Sequence, residues 1–463
     1  MQPRPELPSH VPAVVVGAGY AGLSAALSLQ DRGIDVLLLE ASDRVGGRVL
    51  SEQRSSIVVD HGGQWVGPTQ QRLNAWAKRF DCPTFPTWNV GEHVDIWLDG
   101  SKSRYTGIGP DQGAGMAEYL EAIDRLNDLS SRIVLDDPSS TPELEKWDSE
   151  TVYSFLDRTV GSGDARRRVA LAVQGVWSCE PRDLSLFHLL FYIASAGSYE
   201  QLMETEGCAQ ERRFVRGAQD PALAVAAALG DRLRLGTRVL GIEHRDDTAI
   251  VHTRDGSVHT DRVVLATPPP ATAKLEFDPP LPMSRDRWIH RSPMGDVAKV
   301  HAVYSTPFWR ADGLSGQATL YGQHPVGVVF DNSPPDAEQG VLVAFVYGDR
   351  LRNWLALEPE DRRTAVVDTL RHVFGEAAAD VVDYAEKVWP TDQLTGGGYA
   401  AVPAPGTWFE HGTAGWRTPA GLIHWAGTET ATEWNGYIDG AISSGERAAE
   451  EVAAALLASA TVG

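Results

Sequence analysis

The chain has 463 residues and a formal net charge of −21, from 41 Lys and Arg against 62 Asp and Glu. That length exceeds what one hydrophobic core usually supports, so two domains are expected, and the acidic excess disfavours nucleic acid and anionic membranes as partners. Cys82, Cys179 and Cys208 are an odd set without metal-ligand spacing; they indicate neither a disulfide framework nor a zinc site, no metal is expected, and a reducing, cytoplasmic setting fits. Met1 to Pro12 holds four prolines and no apolar segment of a secretory signal. No stretch approaches the roughly 18 to 20 apolar residues that span a bilayer.

In chain order, the first element is the most informative. Val14-Val15-Val16 enters Gly17-Ala18-Gly19-Tyr20-Ala21-Gly22, Leu23, Ala26 and Leu27 recur at helical spacing, Gly33 stops the helix, and Asp35 to Leu39 ends on Glu40. This is a dinucleotide-binding strand-helix-strand unit. Gly17 permits the tight turn, Gly19 lets backbone approach a pyrophosphate, Gly22 lets helix pack on strand, and Glu40 can accept from a ribose hydroxyl. The phosphates would sit on a helix N-terminus. Arg44-Val45-Gly46-Gly47-Arg48 follows, expected to set two cations beside the pyrophosphate. That extension resembles FAD-dependent enzymes rather than nicotinamide dehydrogenases.

Further on, Met116 to Leu129 and Asp361 to Phe374 read as helices, and Val297 to Tyr304 and Val341 to Tyr347 as strands. Between them, Pro221 to Gly230 reads as a helix, Arg234 to Ile242, Ala249 to Arg254 and Arg262 to Ala266 read as strands, and Asp255-Gly256 is a hairpin signal. Trp425 to Thr430 and Trp434 to Ala441 form a second strand-turn-helix, whose helix N-terminus would stabilise negative charge on a flavin ring. Glu429 is expected on the ribityl side of the phosphates. Ala448 to Ala460 reads as a closing surface helix. No long linker separates the halves, so the domains must interleave.

These motifs, together with Gly62-Gly63-Gln64-Trp65-Val66-Gly67-Pro68, Gln210-Glu211-Arg212, Pro293 to Lys299, Pro307-Phe308-Trp309-Arg310, Gly396-Gly397-Gly398-Tyr399 and Ala426 to Thr432, resemble the flavin-dependent amine oxidases, particularly the monoamine oxidase group, over nearly the whole chain. The resemblance implies a fold of α/β and α+β class. A Rossmann-like FAD domain, residues 1–84, 213–284 and 394–463, would interleave with a substrate domain of mixed sheet plus helices, residues 85–212 and 285–393. It implies cofactor contacts from Gly17, Gly19, Tyr20, Ala21, Gly22, Glu40, Ala41 and Arg48, from Gly63, Gln64, Trp65, Val239 and Trp389, and from Gly427, Thr428, Glu429, Tyr437 and Ile438.

The same resemblance implies catalytic roles for Lys299, Tyr399 and Tyr437. In the family the matching lysine holds a water against flavin N5, whereas by composition alone a lysine among valines on a strand face is a solvated edge residue. Tyr399 and Tyr437 match two aromatics that flank the substrate amine; either alone would read as a core tyrosine. Many mammalian relatives carry a cysteine tethered to the flavin where this chain has Gly398, so FAD is expected to bind without a covalent link. Trp177, Met203, Gln210, Val328 and Phe345 fall where relatives line the substrate cavity, though Trp177, Met203, Val328 and Phe345 each read more readily as plain core than as cavity wall.

The implied reaction passes a hydride from an amine Cα–H to flavin N5 and reduces O2 to H2O2, with an arylalkyl monoamine favoured. Glu204 and Glu206 would suit a diamine or polyamine if they faced the entrance rather than solvent. Arg182 or Arg291 would suit an amino acid if either met its carboxylate. A desaturase or porphyrin-type oxidase on the same fold is a further rival, and from another class a flavin-binding protein without turnover. A homodimer stays open.

Overall fold

The computed structural model describes residues 6–54, 56–107, 115–336 and 338–460. Residues 1–5 of the proline-rich start and 461–463 of the expected FAD domain lie outside them.

Apolar runs without polar alternation make strands covered on both faces. Val36–Leu39 and residues 13–16 of His10–Val16 are such runs, and with Leu233–Arg234 and Gly256–Leu265 these strands lie side by side in parallel. Gly256–Leu265 is the pivot of an eight-stranded sheet. Its first half runs antiparallel to Thr248–Thr253, and Val263 to Leu265 pair in parallel with Ile423–Trp425. The expected hairpin forms one residue early: Arg254 and Asp255 make the loop, and Gly256 already pairs with Thr253. The single strand expected over Arg234 to Ile242 is two, Leu233–Arg234 and Val239–Arg245, on opposite sides of the sheet.

Helices Tyr20–Asp31 and Ile438–Ala460 pack together on this sheet. Ser24 Oγ donates to Ile442 O at 2.7 Å, and a Cβ at Gly445 would strike the Ala21 carbonyl. The alanine-rich end is therefore not merely a surface helix. It finishes a 23-residue helix whose Ala448, Ala449 and Val452 are fully buried, small side chains being what lets two helices approach this closely.

The second sheet has seven strands in the order Asp383–Val388, Val297–Tyr304, Gly340–Tyr347, Val328–Asp331, Leu314–Leu320, Glu92–Ile96 and Lys102–Tyr105. Every residue of Val297–Tyr304 and Gly340–Tyr347 is buried. One face packs with Trp309, Trp354 and the helix Pro359–Phe374, and the other turns toward Trp389 and Tyr399. A helical layer between residues 116 and 203 closes the remaining side. Thr151, Ser162, Ser185 and Ser198 each cap a helix there, accepting from the backbone N–H three residues on. A small sheet of Trp65–Val66, Arg212–Phe214 and Thr84–Pro86 sits astride the boundaries expected at 84/85 and 212/213.

Trp309 is fully buried, and its Nε1 donates to Asp331 Oδ2 at 2.8 Å, an oxygen shared with Arg310 Nε. Trp309→Ala removes an aromatic from a close-packed core and should cost about 3–5 kcal/mol. A urea-unfolding midpoint unchanged by the substitution would contradict this packing.

Candidate active site

One cavity of about 470 Å3 runs between the two sheets, from the glycine turn to the buried strand Val297–Tyr304. At its first end the chain leaves His10–Val16 through Gly17, at φ +97°, whose N–H donates to Leu39 O at 2.7 Å. Gly22 does not reach the cavity, and a Cβ there would collide with the Gly17 carbonyl, so its hydrogen side chain is what closes the turn. Gly17, Gly19, Tyr20 and Ala21 line the wall, facing Gly46 and Gly47, and Gly46 N donates to Ala18 O at 2.8 Å. The Tyr20 hydroxyl is turned away, donating to Ala218 O.

Glu40 lines the cavity beside Ala41 and Val239. Its carboxylate already accepts from Ala18 N at 2.6 Å and Ser42 N at 2.8 Å. A carboxylate has about four lone-pair sites, so it braces the glycine turn and retains capacity for a hydroxyl.

The two arginines of the following loop do different work from that expected. Arg44 does not line the cavity; its guanidinium donates to the carbonyls of Val45, Val49 and Gly47, tying the loop to itself. Arg48 does line it, held bidentate by Glu429 at 2.5 and 3.1 Å, and it also donates to Tyr399 O at 2.9 Å. Glu429 therefore leaves the cavity wall. Its side chain is 11% exposed and is spent on Arg48 and Ala401 N rather than on a ribityl chain. The pairing shows why: an unpaired buried charge is far costlier than a paired one.

At the far end the cavity meets Gly63, Gln64, Trp65, Trp389, Gly427, Thr428 and the first turn of Ile438–Ala460, with Ile438 in the wall. Thr428 Oγ1 donates to Tyr437 O at 2.8 Å and Trp389 Nε1 to His61 O at 2.8 Å. Lys299 is 1% exposed, in a central strand between Phe345 and Lys387. It is no solvated edge residue. Its Nζ donates to Gly62 O at 2.9 Å and Gln64 Oε1 at 2.5 Å, leaving one N–H for the cavity. Burial pushes its pKa down to about 7, against the pull of Asp60 and with the help of Arg213.

Tyr399 and Tyr437 both reach this end. Burial raises both phenols, which stay neutral. Tyr437 is propped by Trp434 at 4.9 Å and Tyr192 at 5.9 Å, and Tyr399 meets Phe345 edge-on at 6.4 Å. Of the expected pocket residues, Gln210 and Phe345 are brought here. Trp177, Met203 and Val328 are not: Trp177 packs into the helical core against Tyr192 at 4.8 Å, while Gly175 and Val176 of the same helix form the wall. Gln210 Nε2 is tied to Leu202 O at 2.9 Å, and its Oε1 has no partner among the described residues.

Sequence reasoning missed Tyr192, Arg238, Arg254, Lys274 and the stretch Gln393 to Thr395 in the wall. Tyr192 lies in Leu186–Ala196, a helix almost wholly buried, so no periodicity singles it out. Arg254 adjoins the hairpin signal, which could have drawn attention to it. Among the described lining residues Arg48, Arg238, Arg254, Lys274 and Lys299 are cationic, against Glu40 alone. A basic, glycine-walled channel in so acidic a chain fits a long anionic dinucleotide, and the aromatic end fits its ring.

Burial alone would raise the Glu429 carboxyl, but the Arg48 charge and hydrogen bonds hold it below the usual glutamate range. The stability this contributes is complete above about pH 4 and is lost as acid titrates the carboxyl through its lowered value. Glu429→Gln should cost about 3 kcal/mol at neutral pH and flatten that acid limb. Melting temperatures from pH 3 to 7 check it; parallel curves for the two proteins would contradict the pairing.

Comparison with known proteins agrees with this geometry. The profile of the flavin containing amine oxidoreductase family matches residues 20–453. A Mycobacterium tuberculosis protein named as a flavin-containing monoamine oxidase, AofH, is 39% identical over 97% of this chain and 98% of its own length. Amine oxidase [flavin-containing] A of Sus scrofa is 33% identical over 96% of this chain and 85% of its own. Among solved structures, putrescine oxidase bound to putrescine superposes with a TM-score of 0.93 at 33% identity, covering 97% of this chain and all of that one. Cyclohexylamine oxidase from Brevibacterium oxydans gives 0.92 at 30% identity, covering 96% and 99%. The chain belongs to the flavin-containing amine oxidoreductase family and has its mixed α/β fold.

Proposed function

We propose that this enzyme binds FAD without a covalent link and oxidises a small monoamine, arylalkyl by preference, with O2 as acceptor and H2O2 as product. The observation that carries the substrate reading is the chemistry of the cage end. Tyr399, Tyr437, Tyr192, Phe345 and Val176 line it, with the amides of Gln64 and Gln210 also in the wall. No carboxylate among the described lining residues stands there to hold a second ammonium, although similarity to putrescine oxidase raises the diamine reading. Glu204 and Glu206 are absent from the lining, and burial raises the Glu204 carboxyl. Arg182 is spent on Asp349, and Arg291 on Pro405 O and Thr407, so neither meets an amino-acid carboxylate.

FAD supplies the acceptor for the two electrons and the hydrogen leaving the amine Cα. The protein residues position and dry the reaction. The glycine turn, Arg48, Arg238 and Arg254 hold the anionic end. The two phenol faces align a neutral amine and tolerate partial positive charge at nitrogen, while the free Gln210 Oε1 accepts an amine N–H. Lys299 offers its third N–H where dioxygen must react. Three free thiols support a reducing cytoplasmic setting, and no described helix is long and apolar enough to cross a membrane. The interleaved division of the domains belongs to this reading, with the boundaries near 84 and 212 moved outside the strands Thr84–Pro86 and Arg212–Phe214 that they would cut.

An anaerobic bleaching screen tests the function: phenethylamine and tyramine should bleach the flavin, with putrescine, spermidine and amino acids far slower. Bleaching by putrescine alone would move the enzyme to the diamine class, and bleaching by none to a non-catalytic one. With Gly398 at the tether position, acid precipitation should release all the flavin into the supernatant; yellow pellet would overturn the non-covalent reading. Lys299→Met should slow oxidation of reduced enzyme by O2 about a hundredfold, while flavin reduction changes less. With a pKa of about 7, Lys299 is charged below neutrality, so the wild-type oxygen step should be faster at pH 6 than at pH 8. Stopped-flow traces in which the variant keeps that pH dependence would remove the role.

A further inference from the structure

Reducing dioxygen to hydrogen peroxide takes two electrons and two protons. A hydride leaving the amine brings both electrons and one proton, so, on the amine-oxidase reading above, the second proton reaches dioxygen separately, by way of the substrate nitrogen or of the protein.

Behind Lys299 lies a group of polar side chains that the reaction above does not use. His301, two residues along the same strand, is fully buried, and neither ring nitrogen has a partner among the described residues. Its neighbours in register are Val343 and Ala385, which offer no side-chain hydrogen bond. The His61 ring stands edge-on to it, centroids 5.3 Å apart at 88°. His61 Nδ1 is likewise buried and unpartnered, while Nε2 meets Glu52 Oε2 at 2.6 Å. The Glu52 side chain is 46% exposed. Lys299 is bonded to the carbonyl of Gly62, the residue next to His61.

Buried polar atoms without a protein partner are rare, and they are where ordered water binds. Three such nitrogens on two facing imidazoles stand between Glu52, bonded to His61, and Lys299, two residues from His301 on one strand. We propose that Glu52, His61 and His301, bridged by water, form a proton relay that feeds Lys299 from the surface. A neutral imidazole accepts at one nitrogen as it releases from the other, so each step forms one N–H or O–H bond and breaks another. Glu52 takes one proton from solvent, the chain ends as it began, and no further oxidant or reductant is consumed. Burial first, then the charges of Lys299, Arg213 and Arg54 and the neighbouring His61 ring, disfavour a proton charge on His301 and keep its ring neutral. Burial also lowers His61, opposed by Glu52, with Lys299 and Arg54 lowering it further. Asp60 and Arg213 face Lys299 itself.

The test uses holoenzyme labelled with 15N-histidine, and Glu52→Gln, an exposed substitution that leaves the core intact. The His301 and His61 ring N–H should exchange with water far faster than core amides in wild type, and slow at least about tenfold in Glu52→Gln. In a second arm, flavin reduced photochemically without any amine is mixed with O2. Glu52→Gln and His301→Leu should each reoxidise about tenfold slower, with a larger D2O effect than wild type. Ring protons as protected as core amides and indifferent to Glu52→Gln, or wild-type reoxidation in Glu52→Gln, would overturn the relay. Because neither arm needs a substrate, failure of every amine to bleach the flavin would sink the functional reading while leaving these two results to stand or fall separately.

Discussion

The contact on which the rest depends joins Arg48 to Glu429. Three parts of the chain meet there: the loop after the glycine turn, the Tyr399 carbonyl, and the turn before the last helix. A buried ion pair is weak evidence for net stability, since hydrophobic replacements of the same volume often do as well. What it supplies is position. A bidentate guanidinium fixes distance and plane together, so the loop of Gly46 and Gly47 and the segment bearing Tyr399 cannot shift independently. The cage tyrosines sit on different elements, and a displacement of about 1 Å at a reacting centre costs up to a hundredfold in rate.

From this anchor the cavity acquires two unlike ends. Backbone and cations form one, where glycine lets the chain close around an anion and Arg238, Arg254 and Lys274 add charge. Aromatic faces form the other. The strand Val297–Tyr304 stands at the meeting of the two, covered on both faces, and it carries Lys299 and His301 among valines and alanines. Burying either residue is expensive in a low-dielectric core. The sheet tolerates Lys299 because Gly62 and Gln64 accept from it, and Gln64 is itself set by a bond to Asn332 at 2.8 Å.

Much of this was legible in residue order. The glycine turn needs its glycines at those positions for steric reasons, so the nucleotide end could be read locally, as could the strands Val297–Tyr304 and Gly340–Tyr347. What failed was side-chain direction. Glu429 and Arg44 belong to motifs that stand near the cofactor site, but their partners are a residue 381 positions away for one and the loop's own carbonyls for the other. Local pattern does not contain either fact. Trp177 stands one or two residues past Gly175 and Val176 of the wall, enough on a helix to turn a side chain from cavity to core. Lys299 shows the converse limit: composition argued for solvent, and only the second sheet layer, built from distant segments, buries it.

That burial also explains why no acid–base pair stands out in the sequence. A lysine lowered to about 7 by desolvation is poised to hold or release a proton near neutrality without any adjacent carboxylate tuned for the purpose. Its nearest acid by charge is Asp60, whose Oδ1 is already bonded to Ser51 and Ala218 N. Tuning by burial has a structural consequence: the same dry wall that lowers the lysine cuts it off from bulk water. A core that desolvates a proton-handling group must leave polar atoms along some path to the surface, and the two facing histidines are where this core does so.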